Sequence, residues 1–257
     1  MLDSPLRLSR RRFMATGVAA GAYALLPALT FAGDNYRETS VPDGGLIQGK
    51  VVFKGSLPKP DQILISKDNE HCGEGHVNPD PARLSANGEV SRAIVAIANI
   101  TAGKPWPQGT KGPSIVQEKC AFHPYIQMAR TRTELTIVNK DPLLHNIHAY
   151  ELIGRARRSL FNIAQPAAGQ VDTRILKPRR GNVIEIACDA HNWMSAWIYL
   201  SDHPYVAVAD EHGQFVLEDV PPGTFDIVAW HPVLGNGTQS VTVAAKTPSS
   251  LSIKITF

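Results

Sequence analysis

The 257-residue sequence is short of sulfur, of helical periodicity and of net charge. Its four methionines include Met1 and Met14, too few for the open, Met-rich surfaces that pass soft cations along. The apolar run from Ala15 to Ala32 is broken by glycines and by Pro27, so it is a poor candidate to span a bilayer. Apolar residues seldom recur at helical spacing, which argues against bundles and coiled coils. The formal charge of +3 is also local. Four arginines against one aspartate within residues 1–32 account for all of it, so nothing argues for a nucleic-acid partner.

What is present first is an export address. Ser9-Arg10-Arg11-Arg12-Phe13-Met14 is a twin-arginine pattern, and Thr30-Phe31-Ala32 offers a small residue for cleavage before Gly33. With the weakly apolar run between them, this is the order of a Tat signal peptide over residues 1–32. The expected location is periplasmic or otherwise extracytoplasmic, with membrane attachment only if the signal stays uncleaved.

The remaining chain alternates short β-branched runs with Gly, Pro, Asn and Asp clusters. The runs are Ile47–Phe53, Ala93–Ala98, Glu134–Val138, Asn182–Ala187, Ala196–Leu200, Phe225–Trp230 and Ser250–Phe257. Short strands at such spacing predict an all-β protein built of sandwiches. Three stretches separate: an N-terminal β module over 45–112, a segment carrying candidate ligands over 113–202, and a C-terminal β module over 203–257.

Three cysteines leave one over after any pairing. Cys188 sits among metal-ligand residue types, so the economical disulfide is Cys72–Cys120, with a Cys120–Cys188 bridge as the alternative. The motif His71-Cys72-x3-His76 can also be read as a metal site, a reading that competes with the disulfide.

The strongest chemical signal is Cys188-Asp189-Ala190-His191-Asn192-Trp193-Met194. A copper ion that cycles between Cu(I) and Cu(II) needs soft thiolate and thioether beside imidazole nitrogen. One loop between two strands supplies Cys, His and Met, and a fourth group must come from elsewhere in the sheet. The segment Glu134–Val138, a turn at Asn139-Lys140-Asp141-Pro142, and His145-Asn146-Ile147-His148 supply it. With Phe122-x-Pro124 and Val138-Asn139-x-Asp141, these motifs resemble a cupredoxin Greek-key sandwich of the amicyanin/plastocyanin group, including proteins labelled for methylamine utilisation. Related segments usually place a glycine before the Glu134–Val138 strand, where this chain has Arg130-Thr131-Arg132-Thr133.

The resemblance implies one type 1 copper held by His145, Cys188, His191 and an axial Met194. It implies that Asn146 ties the two ligand loops together, and that His191 is the solvent-edge ligand through which electrons pass. Trp193 is expected to shield the metal or to mark a docking surface. The end modules resemble a carboxypeptidase regulatory-like (transthyretin-like) sandwich. That likeness rests on Ile47-x-Gly49-x-Val51, Asp210-Glu211-His212-Gly213-Gln214-Phe215 and Val220-Pro221-Pro222-Gly223-Thr224-Phe225. The two ends then form one discontinuous domain with the copper segment inserted, two independent modules being the alternative.

The implied function is single-electron transfer between periplasmic redox proteins such as a c-type cytochrome or a dehydrogenase. A copper-handling or non-redox binding module is the alternative. No enzyme is expected: His-x-His pairs for a trinuclear centre are missing, no nucleophile turn is present, and a filled four-ligand site leaves no open position. His148 is expected to be packed or solvent-facing, and His123, His203, His212 and His231 to be loop residues. Arg155, Arg157 and Arg158, joined by Arg179 and Arg180, are a solvated loop or a docking patch for an acidic partner.

Overall fold

The computed structural model describes residues 36–256 apart from residue 80, and the Tat signal read from the sequence lies outside them. The first stretch supplies β1 (Arg37–Glu38), β2 (Gly45–Lys54), β3 (Ile63–Leu64), the one-turn helix α1 (Asn69–Cys72), β4 (His76–Val77), β5 (Ile94–Ile97) and β6 (Ala102–Gly103). The middle stretch supplies β7 (Ser114–Glu118), β8 (Ala121–His123), β9 (Ile126–Arg130), β10 (Glu134–Asn139) and β11 (His145–Ile153). It continues through β12 (Ala156–Gln165), β13 (Val171–Ile175), β14 (Val183–Ala187) and β15 (Ser195–Ser201). The last stretch supplies β16 (Val206–Val208), β17 (Gln214–Val220), β18 (Gly223–His231), β19 (Gly235–Val243) and β20 (Pro248–Thr256).

The protein is all-β, as its patterning predicts. In β10 the alternation of Glu134, Leu135, Thr136, Ile137, Val138 and Asn139 buries every second residue, the period of a strand with one face on a core. A four-stranded sheet (β13-β10-β7-β8) and a five-stranded sheet (β12-β11-β14-β15-β9) enclose the middle core, which includes Ile115, Leu135, Ile137, Ile147, Ile184, Ile186 and Ile198. Arg132 takes a left-handed backbone (φ 59°) in the turn before β10. That is the stretch where a glycine would meet no steric cost.

The flanking stretches interleave. Strand β5 lies between β16 and β18, and β2 lies between β17 and β20. The β2–β20 pairing is parallel, from Leu46 opposite Pro248 to Lys54 opposite Thr256. Their shared core draws Ile47, Val51 and Phe53 from the start of the chain and Phe215, Leu217, Ile227 and Ile253 from its end. All four residues of β5 are buried because two cores use it. Val95 and Ile97 join the core of the flanking strands, while Ile94 and Ala96 join a third cluster. That third cluster packs Trp106, Val206 and Trp230 against Ile126, Val183 and Tyr199 of the middle stretch. It seals the flanking strands onto the outer side of β9, β14 and β15. Among the described residues no helix is long and apolar enough to cross a membrane.

Candidate metal centre

The site forms where two loops leave neighbouring strands. Asn139 ends β10 buried, and its side chain shapes the next turn. Its Nδ2 donates to the Leu143 and Gln165 carbonyls at 2.9 and 3.0 Å, and its Oδ1 accepts the Asp141 N–H at 2.9 Å. The turn delivers His145 as the first residue of β11. Strand β14 pairs with β11, Ala187 opposite His148, so the loop that begins at Cys188 emerges beside His145. The Met194 N–H donates to the His191 carbonyl at 3.0 Å and closes that loop.

His145, Cys188, His191 and Met194 are each no more than 2% exposed. The two imidazoles meet through Nδ1 at 2.9 Å, and the Cys188 sulfur lies 3.8 Å from the His191 Nδ1. One donor atom from each of His145, Cys188 and His191 falls within 4.8 Å of the others. Met194 shares their buried cluster.

Each histidine is held from behind by a carboxylate. His145 Nε2 lies 2.9 Å from Asp141 Oδ2, and His191 Nε2 lies 2.9 Å from Asp68 Oδ2. A carboxylate accepts only, so both Nε2 atoms carry their protons outward and both Nδ1 lone pairs point inward. Two lone pairs at 2.9 Å beside a sulfur call for a shared proton or a cation. Burial pushes the Cys188 thiol up, against hydrogen bonds that include one from Asn146, and burial pushes His145 down. Metal uptake would displace the thiol proton. This donor set, with imidazole, thiolate and thioether in one buried place, fits copper.

Asp141 is a second hub. Its Oδ1 accepts from the Lys119 N–H (2.7 Å) and meets His71 Nε2 (2.9 Å), and its Oδ2 accepts from the Cys120 N–H (2.8 Å). Burial works to raise its pKa, but these donors and His145 outweigh that and hold the carboxyl well below its usual range. Asn146 spans the two ligand loops. Its Oδ1 accepts from Cys188 Sγ (3.3 Å), the Asp189 N–H (2.7 Å) and the Ala190 N–H (3.1 Å). Its Nδ2 donates to Asn162 Oδ1 (2.8 Å) and Asp189 Oδ2 (3.1 Å).

Cys72 and Cys120 form a disulfide across 48 residues, and Cys188 is free and buried. Several expectations fail. His191 is not at the solvent edge, because its side chain has no exposed surface and the segment carrying Asp68 covers it. Trp193 is buried, packs edge-on to His191 at 5.1 Å between ring centroids, and donates to the Cys120 carbonyl at 3.2 Å. His123 and His231 are not loop residues either: they end β8 and β18, and His231 is buried. His203 is likewise buried, with its Nδ1 accepting the Tyr205 N–H at 3.2 Å. His148 is part-exposed, with its ring between Asp189 (3.0 Å) and Ser159 (2.9 Å). Part of the basic cluster meets buried Glu151, whose carboxylate accepts the Arg158 side chain and the backbone N–H groups of Arg179, Arg180 and Gly181, while Arg157 pairs with Glu185.

Asp68 and the role of Asp141 are the parts of the site that sequence reading misses. Asp141 sits in the Val138-Asn139-x-Asp141 motif four residues before His145, a spacing that could have flagged it. Asp68 lies 123 residues from its partner, and no local pattern marks it.

No protein-family model and no curated protein sequence matches the chain. Among solved structures, a point mutant of amicyanin in its reduced Cu(I) form at pH 4 is similar at 13% identity and a TM-score of 0.29, covering 37% of this chain and 86% of that one. A purple cupredoxin from Nitrosopumilus maritimus is similar at 18% identity and a TM-score of 0.30, covering 35% and 99%. A copper-containing nitrite reductase from Thermus scotoductus is similar at 13% identity and a TM-score of 0.27, covering 59% of this chain and 28% of that one. Because that reductase stands among the similar structures, the expectation that the chain is not an enzyme is withdrawn. At these scores the likeness carries no argument about the site, which rests on its own side chains.

Proposed function

We propose that the middle sandwich would hold one copper ion through His145 Nδ1, His191 Nδ1 and Cys188 Sγ, with Met194 as the thioether donor, and would use it to pass single electrons. The observation that carries this is the pair of inward-facing Nδ1 atoms beside a buried thiol, each imidazole fixed from behind by a carboxylate. When bound, copper supplies a one-electron couple that suits this mixed hard and soft donor set. The chain's own contribution is rigidity. Asp141 and Asp68 fix the ring orientations, Asn146 locks the Cys188 loop to β11, and Trp193 with the surrounding core keeps water out. A site that moves little between oxidation states loses little to reorganisation.

The location proposed is extracytoplasmic, supported by the Cys72–Cys120 disulfide, which persists in oxidising compartments. The partner proposed is an acidic redox protein, a c-type cytochrome or a dehydrogenase. The corner where Arg155, Arg179 and Arg180 are exposed beside Arg157 and Arg158 would steer such a partner.

Adding Cu(II) to the apo-protein should give an intense visible thiolate-to-copper band and a type 1 paramagnetic-resonance signal, both lost in Cys188→Ala. A colourless wild type, or colour that survives Cys188→Ala, refutes the proposal.

A further inference from the structure

The segment 63–77 is built as a strap across the outer edge of the candidate ligands. Its ends pair as β3 and β4, Ile63 opposite Val77 and Leu64 opposite His76. Ile63, Ile65, Cys72 and Val77 pack on the core of the middle sandwich. Between them runs α1, and three bonds fasten it to the site: Asp68 Oδ2 to His191 Nε2, His71 Nε2 to Asp141 Oδ1, and the disulfide from Cys72 to Cys120. The return to β4 needs φ near +90° at Gly73 and Gly75, where a side chain would be strained.

Asp68 is the informative residue. It stands at the N-cap of α1, where an aspartate ordinarily accepts a backbone N–H, yet it makes no side-chain cap bond and adopts a left-handed backbone (φ 53°, ψ 33°). The helix forgoes its cap and tolerates strain, and the carboxylate goes to His191 instead. A residue used against its local preference is evidence of a demand from elsewhere in the fold.

We infer that Asp68 is a positioning residue for the metal centre, fixing His191 with Nδ1 inward, and that the strap it belongs to closes the site against outside ligands. This rests on the copper reading above. A carboxylate on Nε2 makes the imidazole a better donor, and its negative charge near the metal favours the more highly charged Cu(II). Asp68 thereby lowers the reduction potential. The covered edge retains the ion and excludes small anions.

The test uses the full-length protein with Asp68→Asn, Asp68→Ala and Cys72→Ala/Cys120→Ala. Asp68→Asn keeps an acceptor but loses the charge, so it should fold like wild type, stay blue and show a raised reduction potential. Asp68→Ala should surrender copper to a competing chelator about ten- to a hundredfold more readily. Added azide should change the paramagnetic-resonance spectrum of Asp68→Ala and of the cysteine variant but not of wild type. In the metal-free protein, nitrogen NMR of labelled histidine should show His191 protonated at Nε2 in wild type and as mixed tautomers in Asp68→Ala. The inference is overturned if Asp68→Asn has the wild-type potential, if azide is still excluded from Asp68→Ala, or if the His191 tautomer does not respond. A wild type that never turns blue strikes the copper reading alone, because the tautomer measurement needs no metal.

Discussion

Asn146→Ala is the sharpest probe of how the two ligand loops are held together. The substitution deletes one acceptor that serves the Asp189 and Ala190 N–H groups and the Cys188 thiol, and one donor that serves Asn162 and Asp189. Asp189 and Asn162 are exposed, so their side chains recover water at little cost. The two backbone N–H groups are part-buried, and an unsatisfied buried donor costs roughly 1–3 kcal/mol. The apo-protein should therefore lose about 2–4 kcal/mol in urea unfolding with its m-value unchanged. Copper affinity, measured by chelator competition, should fall about ten- to a hundredfold, the usual loss for an outer partner of a ligand. A loss under about 0.5 kcal/mol with unaltered copper affinity would refute the view that Asn146 carries the loop-to-loop connection.

Two further outcomes follow from buried ionisable groups. Glu151→Gln should destabilise by about 2–3 kcal/mol in urea, because the fully buried carboxylate serves Arg158 and three backbone N–H groups while Arg158 keeps some access to water; a neutral result would show that the basic corner is held without it. Burial pushes His203 down to about 4 from an ordinary 6.5, so the unfolded chain binds the extra proton throughout that window. Stability is full above pH 6.5 and declines as pH falls towards 4, by about 2 kcal/mol between roughly pH 7 and pH 5. His203→Gln should show a correspondingly smaller decline, and an equal decline would exclude His203 as its source.

The parts legible in the sequence are those whose cause is local. Alternation in Glu134–Asn139 announces a strand because each side chain's face follows from its neighbour's. Cys188, His191 and Met194 declare themselves by spacing within one loop, and His145 by the turn that precedes it. The disulfide follows from counting three cysteines and setting Cys188 aside. The burial of His191 is illegible for the opposite reason. What covers it is Asp68, which arrives from another part of the chain and whose local context gives an aspartate before a short helix no distinction. At His231, proximity to Pro232 suggests a turn, whereas the packing of Trp230 and its neighbours carries β18 through position 231.

The parallel pairing of β2 with β20 sets an order of events in time. A strand at residues 45–54 cannot find its partner until residues 248–256 exist, and roughly two hundred residues of synthesis at about 5–20 residues per second take on the order of 10–40 s. Both edges of β2 are open templates for pairing with another chain until β17 is made, and one stays open until β20 follows. The middle sandwich closes on contacts of shorter separation and is free to form earlier. Protein caught partway through synthesis should thus hold a protease-resistant middle and a vulnerable beginning, and the flanking core would become resistant only once its last strand is made.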